Sequence, residues 1–339
     1  MKKVSKQIAS TAIRSSAFDR FVSLLERTGR RRPHLLRVLT YHRVDESDAH
    51  PNLYPRVTVS PSAFDAQMRH LAKKYHVISM PELLFLSRHG STLPPNTVMI
   101  TFDDAYCDFA GQAWPILKRY NLPVTLFVPT AFPGQPSRSF WWDDLYYALR
   151  ATERRQELDT PAGRIALATE ADRHQALTRL RDHVKSLPHD QAMAWVDDMC
   201  RQLGRPMPER TVLSWDTLRQ LAGEGVTLGA HTQTHPLLNR VSLETARTEA
   251  VNSLRDLERE IGSALPIFAY PSGGISDEVV RLLKAEGFEL AFTTVRGIND
   301  WRTADRLRLR RINVGPNTTL PVLRAQLLPG TVHLNAYIG

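Results

Sequence analysis

From Arg37 onward the chain alternates short runs rich in β-branched and aromatic residues with segments of helical periodicity, and no other feature limits its fold so tightly. The runs cover 38–41, 98–102, 124–128, 226–230, 267–270, 290–294 and 309–314, with a weaker one at 76–79. The helices between them have recognisable ends. One begins at Ser276, carries Asp277 and Glu278 in its first turn and stops at Gly287, as cap and dipole preferences require. Another repeats apolar residues at Leu243, Ala246, Ala250, Leu254, Leu257 and Ile261. Such alternation builds a mostly parallel sheet covered by helices, either open or closed into a barrel. In both, reactive groups gather at the carboxyl ends of the strands, so the residues just after each run are the candidates for chemistry.

Between 133 and 212 the strand signal disappears. Leu177, Leu180, Val184 and Leu187, then Met193, Val196, Met199 and Leu203, read as two amphipathic helices, so 134–212 is expected to be a helical insertion. The 339 residues suffice for one large α/β domain or two smaller ones, and 42% hydrophobic residues supply a substantial core. No apolar run approaches the roughly 20 residues that cross a bilayer. Two cysteines, Cys107 and Cys200, exclude a disulfide framework and a four-cysteine zinc module and leave room for one disulfide.

The net charge of +9 is unevenly distributed. Residues 1–32 hold nine basic side chains against Asp19 and Glu26, hence seven of the nine units, and the remainder is nearly neutral. A secretory signal would need about 7–15 uninterrupted apolar residues after its charges, and polar residues break every candidate stretch. Val4, Ile8, Ala12, Phe18, Val22 and Leu25 instead fall near helical spacing among the basic residues. A basic amphipathic helix over 1–36 suits docking on the following domain or contact with an anionic membrane surface. Nucleic acid is not an expected partner, because no zinc-finger or aromatic RNA-binding pattern accompanies the charge.

Three strand ends carry candidate chemistry. The run ending at Phe102 is followed by Asp103 and Asp104, either an ordinary helix cap or a pair of working carboxylates. After Ala230 comes His231-Thr-Gln-Thr-His235, two histidines four apart that converge on one metal if the backbone between them turns tightly. Two His and one Asp form a facial triad with open positions, suited to zinc or a neighbouring first-row ion. Third, Phe268-Ala-Tyr270-Pro-Ser272-Gly-Gly274 is either a sharp connection or a turn that aims backbone N–H groups at a ligand.

Together these segments resemble the NodB-homology polysaccharide deacetylases, carbohydrate esterase family 4: Thr101-Phe102-Asp103-Asp104 matches their first motif and His231-Thr-Gln-Thr-His235 their histidine motif. The resemblance implies a distorted (β/α)7-type barrel with a helical insertion, spanning 37–330 with the basic extension before it. It also implies one divalent metal, foremost zinc with other first-row ions open, and hydrolysis of an acetyl group on a sugar. By that resemblance Asp104, His231 and His235 hold the metal, Asp103 is the general base, and Ser272 with Tyr270 lies on the oxyanion and substrate side. The common late histidine motif is missing, since His333 lies beyond the last run. Leu39-Thr-Tyr41-His42 instead resembles the permuted arrangement of poly-N-acetylglucosamine deacetylases, in which the acid-bearing strand comes first, making His42 the general acid. Arg311, in Leu309-Arg-Arg-Ile312, resembles an arginine that orients the base in those relatives. Ala105 stands where glycine is usual.

The expected activity is removal of an acetyl group, foremost N-acetyl, from an amino sugar in a polysaccharide or lipid-linked precursor. Related folds also deformylate lipid-linked sugars or open cyclic amides, and a non-catalytic carbohydrate-binding protein with a vestigial site is the reading from another class. The absence of a signal or spanning segment favours a cytoplasmic enzyme, peripheral at the inner membrane face if the extension binds lipid. Trp141-Trp142-Asp143-Asp144 reads as a sugar-stacking lip or an anchor for the insertion. Trp215 and Asp216 read as a helix start, and Cys107 as buried filler.

Overall fold

A computed structural model of the protein describes residues 34–46, 54, 57–204 and 211–329, together with Arg20, Val22 and Leu24. Seven parallel strands form its centre: β1 (Leu35–Tyr41), β2 (Thr97–Phe102), β3 (Thr125–Val128), β4 (Thr227–Ala230), β5 (Ile267–Ala269), β6 (Leu290–Arg296) and β7 (Leu309–Asn313). Each pairs in parallel with the next, and β1 pairs with both β2 and β7, so the sheet closes into a (β/α)7 barrel. The weak run at 76–79 contributes only the two-residue strand His76–Val77 beside Thr97 and Val98.

Strand alternation separates two apolar layers. Val38, Met99, Phe127, Ile267, Ala269, Leu290, Phe292 and Leu309 fill the barrel, in one cluster that continues through Ile78, Leu83 and Trp301. Their neighbours Leu39, Tyr41, Ile100, Phe102, Leu126, Val128, Leu228, Phe268 and Tyr270 face outward to the helices. Gly229 is the inward residue of β4, and a Cβ there would lie 2.6 Å from the Phe127 ring. Hydrogen is the only side chain that leaves the Phe127 ring in place.

Outside the barrel lie α1 (Pro61–Lys74), α2 (Met80–Arg88) and α3 (Trp114–Arg119, entered through a π turn at Phe109–Ala113). Then come α4 (Trp141–Ala151), α5 (Glu170–Ser186), α6 (His189–Gln202), α7 (Trp215–Gly223), α8 (Leu243–Ile261), α9 (Asp277–Ala285) and α10 (Leu320–Gln326). Ser60, Ser79, Ser214, Ser242 and Ser276 each cap a helix by accepting a backbone N–H three residues on. Such a cap contributes about 1 kcal/mol. Trp215 does open α7, and Cys107 and Cys200 form no disulfide, the first being only half-buried.

The helical insertion consists of α4, α5 and α6, one helix more than the periodicity isolates. Leu145, Leu149, Leu177, Leu180, Val184, Val196, Met199 and Cys200 give it an apolar cluster of its own, to which Tyr54 from the loop after β1 also belongs. Most of the basic extension, like His333, lies outside the described residues; Val22 is buried against Ala325 and Leu328 beside α10. Among the described residues no helix is long and apolar enough to cross a membrane.

Candidate metal centre

The strand ends converge at the carboxyl mouth of the barrel. Asp103 continues the ladder past β2, its N–H donating to the Tyr41 carbonyl at 2.9 Å, and its side chain shares the inward face with Met99 and Thr101. The chain then leaves the extended region: Asp104 has φ +73° and Ala105 +51°, the left-handed region that residues with a Cβ seldom adopt. This reversal turns the Asp104 carboxylate toward the histidines, so the two adjacent acids meet different partners. Ala105 occupies, with strain, a conformation that glycine would take freely.

His231 follows β4. Its Nδ1 lies 2.7 Å from the Ala269 carbonyl oxygen, which only accepts, so Nδ1 carries the proton and Nε2 keeps its lone pair toward Asp104, 3.4 Å from Oδ1. His235 returns to the same place through a tight loop with Thr232 at φ +62° and His235 itself at +64°. The Thr232 hydroxyl accepts the His235 N–H at 3.0 Å and donates to the His231 carbonyl. From α8, the Glu249 carboxylate accepts the N–H groups of Gln233 and Thr234, each at 2.8 Å, and the Thr234 hydroxyl at 2.6 Å. The loop is therefore held from both sides. His235 Nε2 ends 3.2 Å from Asp104 Oδ1.

One atom each of Asp104, His231 and His235 lies within 4.8 Å of the others, and all three residues are buried. Asp104 Oδ1 has no hydrogen-bond partner although it is fully enclosed. An orphaned, buried carboxylate oxygen facing the His231 lone pair and the His235 ring nitrogen is costly unless a cation meets it, and two nitrogens with one oxygen fit zinc or another first-row divalent ion with positions left open. Without a cation there, burial would raise the Asp104 carboxyl, but protonated His231 and His235 rings donating to it outweigh this and hold it far below the usual carboxylate range.

Arg311, on β7, is wholly enclosed and grips Asp103 with two hydrogen bonds, Nη1 to Oδ1 at 2.8 Å and Nη2 to Oδ2 at 2.7 Å, while its Nε donates to the Thr293 carbonyl at 2.8 Å. Burial would raise Asp103 as well; the guanidinium, with His231 behind it, reverses this and keeps the carboxyl below its ordinary value. Asp103 is thus ionised and fixed in orientation.

A cavity of about 110 Å³ opens onto these groups. His42, Asp103, Asp104, His231, His235 and Ser272 all line it, so six of the eight residues singled out in the sequence meet at one surface. Closure explains the presence of His42, since β1 stands between β2 and β7. Ser272 reaches the cavity through a left-handed turn, φ +48°. Arg311 acts from behind through Asp103. Tyr270 corrects the expectation: its ring belongs to the outer layer with Phe268 and its hydroxyl donates to the Leu307 carbonyl at 2.9 Å, so its side chain does not face the cavity. The inward position of Ala269 already implies this.

Trp141 and Trp142 form an aromatic wall of the cavity. The Trp142 indole stacks on Phe140 with centroids 4.6 Å apart, lies edge-on to His235 at 5.0 Å, and donates its N–H to the Tyr106 hydroxyl at 3.0 Å. Asp143 is the anchor, accepting the Tyr106 hydroxyl and the Tyr54 N–H, both at 2.8 Å. Sequence reasoning missed Tyr54, Val57, Arg181, Lys185 and Thr294, which complete the lining. Arg181 and Lys185 stand four apart on an expected helix, which is the one signal that pointed to a shared face. Of the seven non-glycine residues with positive φ among those described, Asp104, Ala105, Thr232, His235 and Ser272 belong to this centre. Strain of this kind concentrates where function fixes the backbone.

The family model for polysaccharide deacetylases matches residues 90–291. The Bacillus subtilis (strain 168) protein YxkH, which bears the same family name, is 18% identical over 286 residues, 84% of this chain and 73% of that protein. A poly-β-1,6-N-acetyl-D-glucosamine N-deacetylase of Staphylococcus aureus (strain N315) is 31% identical over 109 residues, 29% of this chain and 37% of that enzyme's length. Among solved structures, the Streptococcus pyogenes deacetylase PplD in complex with acetate aligns with a TM-score of 0.61 at 20% identity, covering 88% of this chain and 100% of that one. That last likeness concerns the fold.

Proposed function

Since the chain belongs to the polysaccharide deacetylase family and is a hydrolase of carbon–nitrogen bonds, we propose that it removes the acetyl group from an N-acetylated amino sugar in a polysaccharide or a lipid-linked glycan precursor. The observation that carries this reading is the meeting of two separate devices at one cavity: the Asp103–Arg311 pair, and the Asp104–His231–His235 trio with its orphaned carboxylate oxygen. Asp104, His231 and His235 would hold a divalent ion, which would supply Lewis acidity for water and for the acetyl carbonyl.

The chain's own groups account for the rest. Asp103 receives the proton of the attacking water. Arg311 makes it a weaker base than a free carboxylate, but keeps it ionised and aimed, and orientation is what general-base catalysis from a fixed site requires. The backbone N–H of Ser272 is the donor we assign to the developing oxyanion. Expulsion of an amine needs a proton, and His42, on the same cavity and on a neighbouring strand end, is the group we assign to deliver it. Trp141 and Trp142 offer aromatic faces to the sugar ring.

Release of acetate and of free amine, measured together on N-acetylated, O-acetylated and N-formylated glycans, tests the reading. Equimolar acetate and amine from the N-acetylated members are expected. Formate from the formylated members with no acetate from any other would overturn it.

A further inference from the structure

His42 lines the cavity, and among the described residues its ring makes no hydrogen bond. A histidine that moves a proton is usually aimed by a partner on its second ring nitrogen. With no such partner, the placement of this imidazole rests on the backbone that carries it. That backbone is anchored on both sides.

Before His42, the Tyr41 ring stacks on Phe102 with centroids 5.2 Å apart and meets Phe64 edge-on at 5.1 Å, while its hydroxyl donates to Gln67 Oε1 at 2.8 Å. After it, Arg43 does not reach the cavity and enters a buried polar group instead. Its Nε donates to Asp108 Oδ1 at 3.1 Å, Nη1 to the Thr58 hydroxyl at 3.3 Å and Nη2 to Asp45 Oδ2 at 3.2 Å, and its guanidinium lies over the Tyr106 ring, 5.5 Å from the centroid. The other oxygen of Asp108 accepts the Val44 N–H at 2.7 Å. The side chains of Arg43, Asp45 and Asp108 are each 3% exposed.

A buried ion pair stabilises a fold no better than apolar packing of the same volume, so its location calls for another use. Asp108 stands four residues beyond Asp104 on the segment that leaves β2. The Arg43–Asp108 pair therefore ties the strand end that bears His42 to the one that bears Asp103 and Asp104.

Resting on the deacetylase reading and on His42 as its acid, we infer that Arg43 is the positioning residue of that acid: with Asp108 it fixes the backbone on which His42 stands, and so the reach of the imidazole to the departing amine. Neither residue touches substrate. When the carbon–nitrogen bond breaks, its electron pair stays on nitrogen and the nitrogen takes the proton from His42. A nitrophenolate, by contrast, leaves with its electron pair and needs no proton. Misplacing His42 thus penalises an amide far more than an aryl ester.

Full-length, zinc-loaded protein assayed on 4-nitrophenyl acetate and on β-1,4- and β-1,6-linked tetramers of N-acetylglucosamine tests this, with kcat for the amide divided by kcat for the ester as the readout. Loss of active protein cancels in such a ratio, and elemental analysis of each variant checks that the metal is kept. His42→Ala is expected to lower the ratio by about 10²–10⁴-fold. Arg43→Met is expected to lower it by about 10²-fold, as a small misplacement of a reacting group does. Asp108→Asn, which keeps an acceptor for the Val44 N–H, should lower it less, and Arg43→Lys, which keeps the charge, should recover part of the loss. In the His42→Ala background Arg43→Met should not change the ratio further, because no acid remains to be misplaced. A ratio that falls in His42→Ala but not in Arg43→Met or Asp108→Asn would overturn the inference, and so would an equal fall from Arg43→Met in both backgrounds. A ratio unchanged in His42→Ala itself would remove His42 as the acid and the inference with it. Wild-type turnover of the ester with no acetate from either tetramer would contradict the deacetylase reading.

Discussion

Removing the Arg311 side chain by Arg311→Met isolates the device that holds Asp103. The guanidinium is fully enclosed, Asp103 is 3% exposed, and the two hydrogen bonds between them are 2.8 and 2.7 Å. Breaking one partner out of such a buried pair costs about 3–5 kcal/mol, because the remaining charge loses its counter-charge without regaining water. The Thr293 carbonyl also loses the Nε donor, which costs about 1 kcal/mol more. Unfolding entropy near 2.1 cal/mol/K per residue over the roughly 280 described residues gives about 0.6 kcal/mol/K, so Tm should fall by about 7–10 °C.

A double-mutant cycle separates the pair from the carbonyl. Asp103→Asn alone strands Arg311; combined with Arg311→Met it removes both charges. The carbonyl loss is present in both Arg311→Met proteins and cancels, so the cycle should show a coupling of about 3 kcal/mol. The assay is thermal unfolding of chelator-treated protein followed by tryptophan fluorescence, which keeps any bound ion out of the comparison. Additive effects, with a Tm loss of less than about 2 °C for Arg311→Met, would refute the idea that this pair governs the state of Asp103.

Two further outcomes follow from groups around the centre. Glu249→Ala removes the acceptor of three hydrogen bonds and leaves the N–H groups of Gln233 and Thr234 without it, so metal affinity should drop by about 10–100-fold in chelator competition, and an unchanged affinity would show that the His231–His235 loop needs no clasp. Burial pushes Asp143 up to about 7 against the hydrogen bonds from Tyr54 and Tyr106. Its folded value thus lies above its unfolded one, so the proton it binds favours folding fully below about pH 4, and that contribution is lost as pH rises through about 7. Asp143→Asn should flatten the dependence of Tm on pH across that window and raise Tm at pH 8; an unaltered slope would contradict the assignment.

How much of this was legible depends on whether a residue's role is set by the strands or by what folds over them. The seven runs and the strand-end positions of His42, Asp103, Asp104, His231 and His235 follow from alternation and from the rule that parallel strands present chemistry at their carboxyl ends, whereas which acid faces the histidines was read only through the resemblance. Arg311 was legible only through a resemblance, because a cation on a late strand has many ordinary uses. Tyr270 was misassigned by reading the motif as a unit: within a strand, Ala269 inward forces Tyr270 outward, and only the left-handed turn at Ser272 returns the chain to the cavity. Tyr54, Arg181 and Lys185 were missed because an insertion far along the chain, docked through Asp143, places them there. No local pattern encodes that docking.

The central claim is that Asp104, His231 and His235 hold a divalent metal and that Asp103 acts beside it without binding it. Elemental analysis of purified, chelator-washed and zinc-reloaded protein, run alongside acetate release on the same samples, tests this directly. Wild type and Asp103→Asn should each retain about one ion per chain with only wild type releasing acetate, and Asp104→Ala and His235→Ala should retain none. Full metal content in Asp104→Ala, or wild-type turnover in Asp103→Asn, would contradict it.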